Sequence, residues 1–195
     1  MNDDTVETVV CGDFTIKIMY DRDPADPRKE CDNFSHMYCC HRRYTLGDEQ
    51  SREPLTADEL RERAAEAGDE ILAILPLYLY DHSGITISCS SFADRFDSGQ
   101  VGWAYITAKQ MQRMGVEGNQ EALESIIRSE VETYDQFLTG QVYGYVVETQ
   151  DGDEVDSCWG FYGGLDYVRS EATSVAMNAK HPHHTKSKQD AACVP

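Results

Sequence analysis

The sequence predicts an α+β fold, an antiparallel sheet with helices packed mainly on one face. Three observations predict it. Runs with strand periodicity outnumber runs with helical periodicity. Most neighbouring runs join through short turns, which suits antiparallel pairing. Asp151-Gly152, set between two alternating runs, is a strong hairpin signal. The expected organisation is one domain over residues 1–178 and a disordered tail over 179–195.

The elements follow in order. Thr8 to Tyr20 reads as two strands around a Gly12-Asp13 turn, with Phe14, Ile16 and Ile18 on one face and Thr15 and Lys17 on the other. Pro24 and Pro27 make Asp21 to Lys29 a loop, and Met37 to Tyr44 is expected to be a strand. Thr56 and Glu59 form a capping box. The helix behind it sets Leu60, Ala64, Ala67, Ile71 and Ile74/Leu75 on one stripe and is expected to stop before Pro76.

Leu77 to Tyr80 and Ile85 to Ser88 are short strands around Asp81-His82-Ser83-Gly84, and Val101 to Ile106 is another. Thr107 and Gln110 cap a short helix that Gly115 and Gly118 end. Asn119 caps the longest element, a helix over Gln120 to Leu138. The hairpin strands are Val142 to Glu148 and Val155 to Phe161, and a last helix runs around Leu165 to Met177. Beyond Lys180 there is no apolar pattern, and tail composition explains His181, His183 and His184 better than metal binding does.

Charge narrows the function classes. There are 35 acidic residues against 17 Lys and Arg, a net charge of -18, and residues 1–179 alone hold 34 acids and 14 bases. Such a surface avoids nucleic acid and anionic membranes and is drawn to basic surfaces. At 41% hydrophobic and 10% aromatic residues the chain can still build a core. No apolar run has the length of a transmembrane helix, and Met1-Asn2-Asp3-Asp4 lacks the start of a secretory signal, so a cytoplasmic location is expected. The 7 cysteines include no C-x-x-C pair and most of them read as small buried hydrophobes, with a metal site at Cys39, Cys40, His36 or His41 as the lesser reading. No phosphate-binding loop or nucleophile elbow is present, and no cofactor is expected.

Four stretches carry a resemblance. They are Asp32-Asn33 through His41-Arg42-Arg43-Tyr44 to Gly47-Asp48; Leu77 to Gly84; Asp97-Ser98-Gly99-Gln100-Val101-Gly102; and Glu132-Thr133-Tyr134-Asp135-Gln136 with Asp156 to Gly163. Together they resemble a family of small acidic proteins encoded by bacteriophages and other mobile elements, over roughly residues 25–170. The resemblance implies a phage or prophage setting and no catalytic assignment.

Two constellations compete for function. On the 120–138 helix Glu121, Glu124, Glu132 and Asp135 share a face with Arg128, and Glu117 and Glu130 add to the segment. Carboxylates at such steps lie roughly 5–6 Å apart at Cβ, comparable to phosphates along a nucleic-acid strand. Asp151, Asp153, Glu154 and Asp156 form a second acidic group at the hairpin tip, where calcium is a minor reading because the twelve-residue loop is absent. The expected function is a non-enzymatic inhibitor of a host nucleic-acid-binding defence complex, of the anti-CRISPR or anti-restriction kind, whose carboxylates imitate DNA in a basic channel. The alternative is a small ligand-binding protein or hydrolase with Asp81, His82, Asp97 and Gln100 around a pocket; there, neighbouring residues on a strand point to opposite faces, which argues against an Asp81–His82 pair. His41-Arg42-Arg43 is expected to pair internally with carboxylates, and Trp159 or Tyr162, if exposed, to anchor an interface.

Overall fold

A computed structural model describes residues 4–179, so nearly all of the expected tail lies outside the described residues. In chain order the first elements are β1 (Thr5–Cys11), β2 (Phe14–Tyr20), α1 (Pro27–Glu30), β3 (His36–Cys40), β4 (Glu49–Ser51), α2 (Ala57–Glu66) and β5 (Ile71–Asp81). They are followed by β6 (Ile85–Ser88), β7 (Ser98–Thr107), α3 (Ala108–Met114), α4 (Gln120–Thr139), β8 (Tyr143–Thr149), β9 (Glu154–Phe161) and α5 (Leu165–Asn178). The fold is α+β, and its strands divide between two sheets, ordered β1-β2-β8-β9 and β4-β3-β7-β5-β6.

The two ends of the chain build the first sheet. Alternation in β2 buries Phe14, Ile16 and Ile18, and the register sets Ile16 opposite Val147 and Ile18 opposite Tyr145. Across that face lies α5, whose buried Val168, Ala172 and Ala176 recur every four residues and are small enough for close approach. Arg169 fastens this helix to β1 through Glu7 at 2.6 Å. On the opposite face the Trp159 ring lies flat over Gly144, where a Cβ would come within 2.2 Å of it.

The middle of the chain builds the second sheet, antiparallel except for the parallel β3–β4 pair. Leu75, Leu77 and Leu79 of β5 and Ala104 and Ile106 of β7 face α4, which buries Leu123, Ile127, Val131 and Tyr134 against them. Each fully buried aliphatic side chain there contributes about 1.5–3 kcal/mol relative to exposure. Gly102 brings β7 and β3 close, since a Cβ at that position would meet the Tyr38 carbonyl oxygen at 2.0 Å.

Several expectations change. The second helix ends at Glu66 instead of running to Leu75. Gly68 turns the chain at φ 70°, and Asp69 then accepts the Glu70 and Lys109 amides at 2.8 and 3.1 Å. Ile71 to Asp81 is one strand that runs through Pro76. Pro76 is tolerated because β6 begins to pair only at Tyr78, so no ladder bond to β6 is lost. The expected strand at Met37 stops at Cys40, because His41 Nδ1 accepts the Arg43 and Tyr44 amides at 3.3 and 3.2 Å and curls the backbone. The loop before it holds the one-turn α1, capped by Asp26.

One buried cation ties these parts together. The Arg28 side chain, 2% exposed, donates to both Asp48 oxygens at 3.0 and 2.5 Å and to Glu130 at 3.2 Å. Its remaining donors reach the Asn33 side chain at 3.0 Å and the Ser35 carbonyl at 2.8 Å. Glu130 also accepts the Phe34 and Ser35 amides at 2.7 and 3.0 Å and the Ser35 hydroxyl. Burial alone would lower the Arg28 pKa, but Asp48 and Glu130 more than offset it and raise it. Removing one partner of such a pair leaves a buried charge uncompensated. Glu130→Ala is therefore expected to cost about 3–5 kcal/mol in urea unfolding, and the exposed Glu132→Ala no more than about 0.5 kcal/mol. Equal losses would mean that Glu130 does not serve the fold.

Candidate functional site

The acids expected to line α4 do not form one continuous row. Glu117, in the turn before the helix, and Glu121 and Glu132 on it are exposed. Glu124 is half-buried, accepting the Gln120 amide at 2.9 Å and facing Arg128 at 3.8 Å. Glu130 is engaged with Arg28 and the Phe34–Ser35 backbone, so it is withdrawn from the outer surface. Its distance from Glu121, about two and a half helical turns, places it on the opposite side of the helix. Asp135 is withdrawn too: half-buried, it accepts the buried Ile87 amide at 2.8 Å. Burial pushes its carboxyl pKa up, the Ile87 amide opposes this, and Glu132 adds to it.

The hairpin tip differs. Asp151, Asp153, Glu154 and Asp156 are all exposed. Thr149 holds the turn, its carbonyl accepting the Gly152 amide at 3.0 Å and its hydroxyl accepting the Asp153 amide at 3.2 Å. Glu154 accepts the Ser157 hydroxyl and Asp156 the Ser157 amide, both at 2.8 Å. Among the described residues no Lys or Arg pairs with Asp153, Glu154 or Asp156. Nor, among them, does any group of three His, Cys, Asp or Glu side chains converge as metal ligands.

Three of the four expected pocket residues come together. Asp81, Asp97 and Gln100 line a depression of about 280 Å³ beside Arg43 and Phe96. His82 is not on its lining. Asp81 is bound to Arg43 and accepts the Tyr44 hydroxyl at 3.1 Å, while its amide donates to the Asp97 carbonyl at 2.8 Å. His82 turns away from its neighbour Asp81 and meets Asp97, with Nδ1 3.1 Å from Oδ2. Among the described residues no Ser, Thr or Cys side chain is bonded to His82. Burial pushes the Cys89 thiol up to about 11 and the Cys39 thiol up to about 12, so both stay protonated and poorly nucleophilic at neutral pH. The arrangement offers hydrogen-bonding and charged groups that can bind a ligand.

Beside it lies a larger cleft of about 800 Å³ that sequence reasoning did not anticipate, walled by Cys40, His41, Arg42, Arg43, Tyr44 and Arg52 among others. The expectation that the basic spot pairs internally holds for Arg43, which takes Asp81. Arg42 and Arg52 make no ion pair among the described residues. The signal that could have found the cleft is the pair of arginine-bearing segments at 41–43 and 52, but nothing in their spacing shows that the strands before them run parallel. Of the expected interface anchors, Trp159 is exposed at 46%, and Tyr162 bonds the Ala25 carbonyl at 2.5 Å.

No protein-family model matches the chain, and neither does any curated protein or solved structure. No helix among the described residues is long and apolar enough to cross a membrane.

The Asp135 shift has a testable sign. Its folded pKa lies above the unfolded one, so the folded state binds the proton more tightly and this group's contribution falls as pH rises through the folded value. Asp135→Asn keeps an acceptor for the Ile87 amide and removes the charge. Its Tm relative to the unsubstituted protein is expected to rise from acid to neutral pH. Asp135→Ala leaves that buried amide unpaired and is expected to cost about 1–3 kcal/mol. An Asn variant that loses ground toward neutral pH would contradict the assignment.

Proposed function

We propose that this chain acts by binding rather than by catalysis: it inhibits a host nucleic-acid-binding defence complex, of the anti-restriction or anti-CRISPR kind, by placing carboxylates in a basic channel. The observation that carries the reading is the set of exposed carboxylates left without a cationic partner once the internal pairs are made. With 34 acids to 14 bases in residues 1–179, one-to-one pairing leaves most acids free. Glu117, Glu121 and Glu132 along the outer edge of α4 and Asp153, Glu154 and Asp156 at the tip belong to that excess. Glu130 and Asp135 do not, and the reading is narrowed to the exposed set. Of the two acidic groups, the one on α4 loses its even spacing, and the one at the hairpin tip keeps its exposed carboxylates. The resemblance to acidic proteins of mobile elements supports the setting, and the proposed site of action is the host bacterial cytoplasm.

Carboxylates of this kind act mainly through steering, so they set the association rate and its salt dependence. The test neutralises Glu117, Glu121 and Glu132 to Gln in one variant, and Asp153→Asn, Glu154→Gln and Asp156→Asn in another. Both are assayed against a panel of purified restriction and CRISPR effector complexes for loss of DNA-binding inhibition. At least one variant is expected to weaken inhibition about tenfold or more at low salt and to flatten its salt dependence. Inhibition unchanged in both, or no inhibition by the unsubstituted protein across the panel, would refute the reading.

A further inference from the structure

Among the described residues nine lysine and arginine side chains hold a carboxylate partner, as expected where acids are in such excess. Arg42 and Arg52 are among those that do not, and topology brings these two together. Because β3 and β4 run parallel with Cys40 beside Ser51, both strands leave the sheet at the same end. The two arginine-bearing segments that follow are therefore delivered to one mouth. The resulting cleft of about 800 Å³ has no aspartate or glutamate on its lining. In a chain with twice as many acids as bases, a cleft free of carboxylates with the unpaired Arg42 and Arg52 on its wall reverses the local sign of the surface.

The wall is also held in place. Gln50 accepts the Leu46 amide at 3.2 Å and donates to the His41 carbonyl at 2.7 Å, pinning the loop to the strand. His41 accepts two backbone amides at Nδ1, which leaves its proton on Nε2 as a donor. Burial, and then the neighbouring Arg43, hold its pKa below the usual imidazole value, and its ring stacks on Tyr44 at 5.0 Å. The smaller depression shares Cys40, His41 and Arg43 with the cleft and adds Asp81, which holds Arg43, together with Asp97 and Gln100, which accept and donate hydrogen bonds. Through these shared residues the two adjoin as one groove, with Arg42 and Arg52 at one end and Asp81, Asp97 and Gln100 at the other.

We propose that this groove binds a phosphate-bearing small molecule of nucleotide size, its phosphates on Arg42 and Arg52 and its hydrogen-bonding head at Asp97 and Gln100. Guanidinium groups match phosphate oxygens in a two-point geometry that a lone ammonium cannot reproduce. The size falls within the range of small-molecule sites, about 300–1,000 Å³. The protein's net negative charge does not forbid an anion here. At physiological ionic strength charges farther than about 8 Å are largely screened, so Arg42 and Arg52 govern the field at their end of the groove. This site is independent of the acidic docking surfaces, and either can fail without the other.

Calorimetric titration of the full chain with ADP, pyrophosphate and adenosine tests it. ADP and pyrophosphate are expected to bind, and adenosine to bind at least about tenfold more weakly than ADP. Arg42→Ala with Arg52→Ala should weaken ADP and pyrophosphate about tenfold or more, while Arg95→Ala, an exposed arginine outside the groove, should change either less than about twofold. Gln100→Ala should weaken ADP and leave pyrophosphate unchanged. The proposal is overturned if neither phosphate compound binds below about 1 mM. It is also overturned if adenosine matches ADP, if Arg95→Ala costs as much as the groove substitutions, or if Gln100→Ala weakens both ligands alike. Thermal unfolding of each variant separates loss of the site from loss of the fold.

Discussion

A buried guanidinium is the constraint on which the rest of this architecture depends. Arg28 leaves water only because Asp48 and Glu130 meet it, and the two carboxylates come from opposite parts of the fold. Asp48 also accepts the Met37 amide at 2.7 Å, which fixes where the chain turns from β3 toward β4. Glu130 carries the same constraint to α4 and ties the helix to the Phe34–Ser35 backbone. The apolar stripe of α4 decides which face is buried, and this ionic contact helps hold that face in register with the sheet. Its outer edge, with Glu121 and Glu132, is what remains for a partner.

The same network shapes both surfaces to which a function is assigned. By holding the 33–48 segment it supports the parallel β3–β4 pair, and that pair brings Arg42 and Arg52 together. The protein thus separates its charges: carboxylates lie on the outer edge of α4 and the hairpin tip, and uncompensated arginines sit in a groove at the end of one sheet. On the proposed reading the acids would act through a long-range field that salt weakens, and the groove through short-range contacts that salt weakens less.

Local elements were legible where periodicity and capping agree. Thr56 with Glu59 and Asn119 mark the starts of their helices, and Asp151-Gly152 marks its hairpin turn. The stretch after Gly68 is ambiguous in sequence because Ile71, Ile74 and Leu75 fit a helical stripe as well as a strand, and only pairing with β7 chooses between them. The site was legible in part. Asp81, Asp97 and Gln100 do share a depression, but His82 finds Asp97 from fifteen residues away. Glu130 and Asp135 looked like surface acids because helical spacing shows which side chains share a face, not where a loop or an edge strand comes down on that face. The arginine groove depends on a parallel pairing that short-range signals do not encode.

The central claim is that the protein occupies the place of nucleic acid on a basic partner. Competition at a single defence complex measures this most directly: the apparent Kd of the protein is followed as the concentration of the complex's own DNA substrate rises, at low and at high salt. The account predicts that the apparent Kd climbs in proportion to DNA and that both ligands weaken as salt is added. A ternary complex of protein, DNA and effector, with an affinity indifferent to DNA, would contradict it.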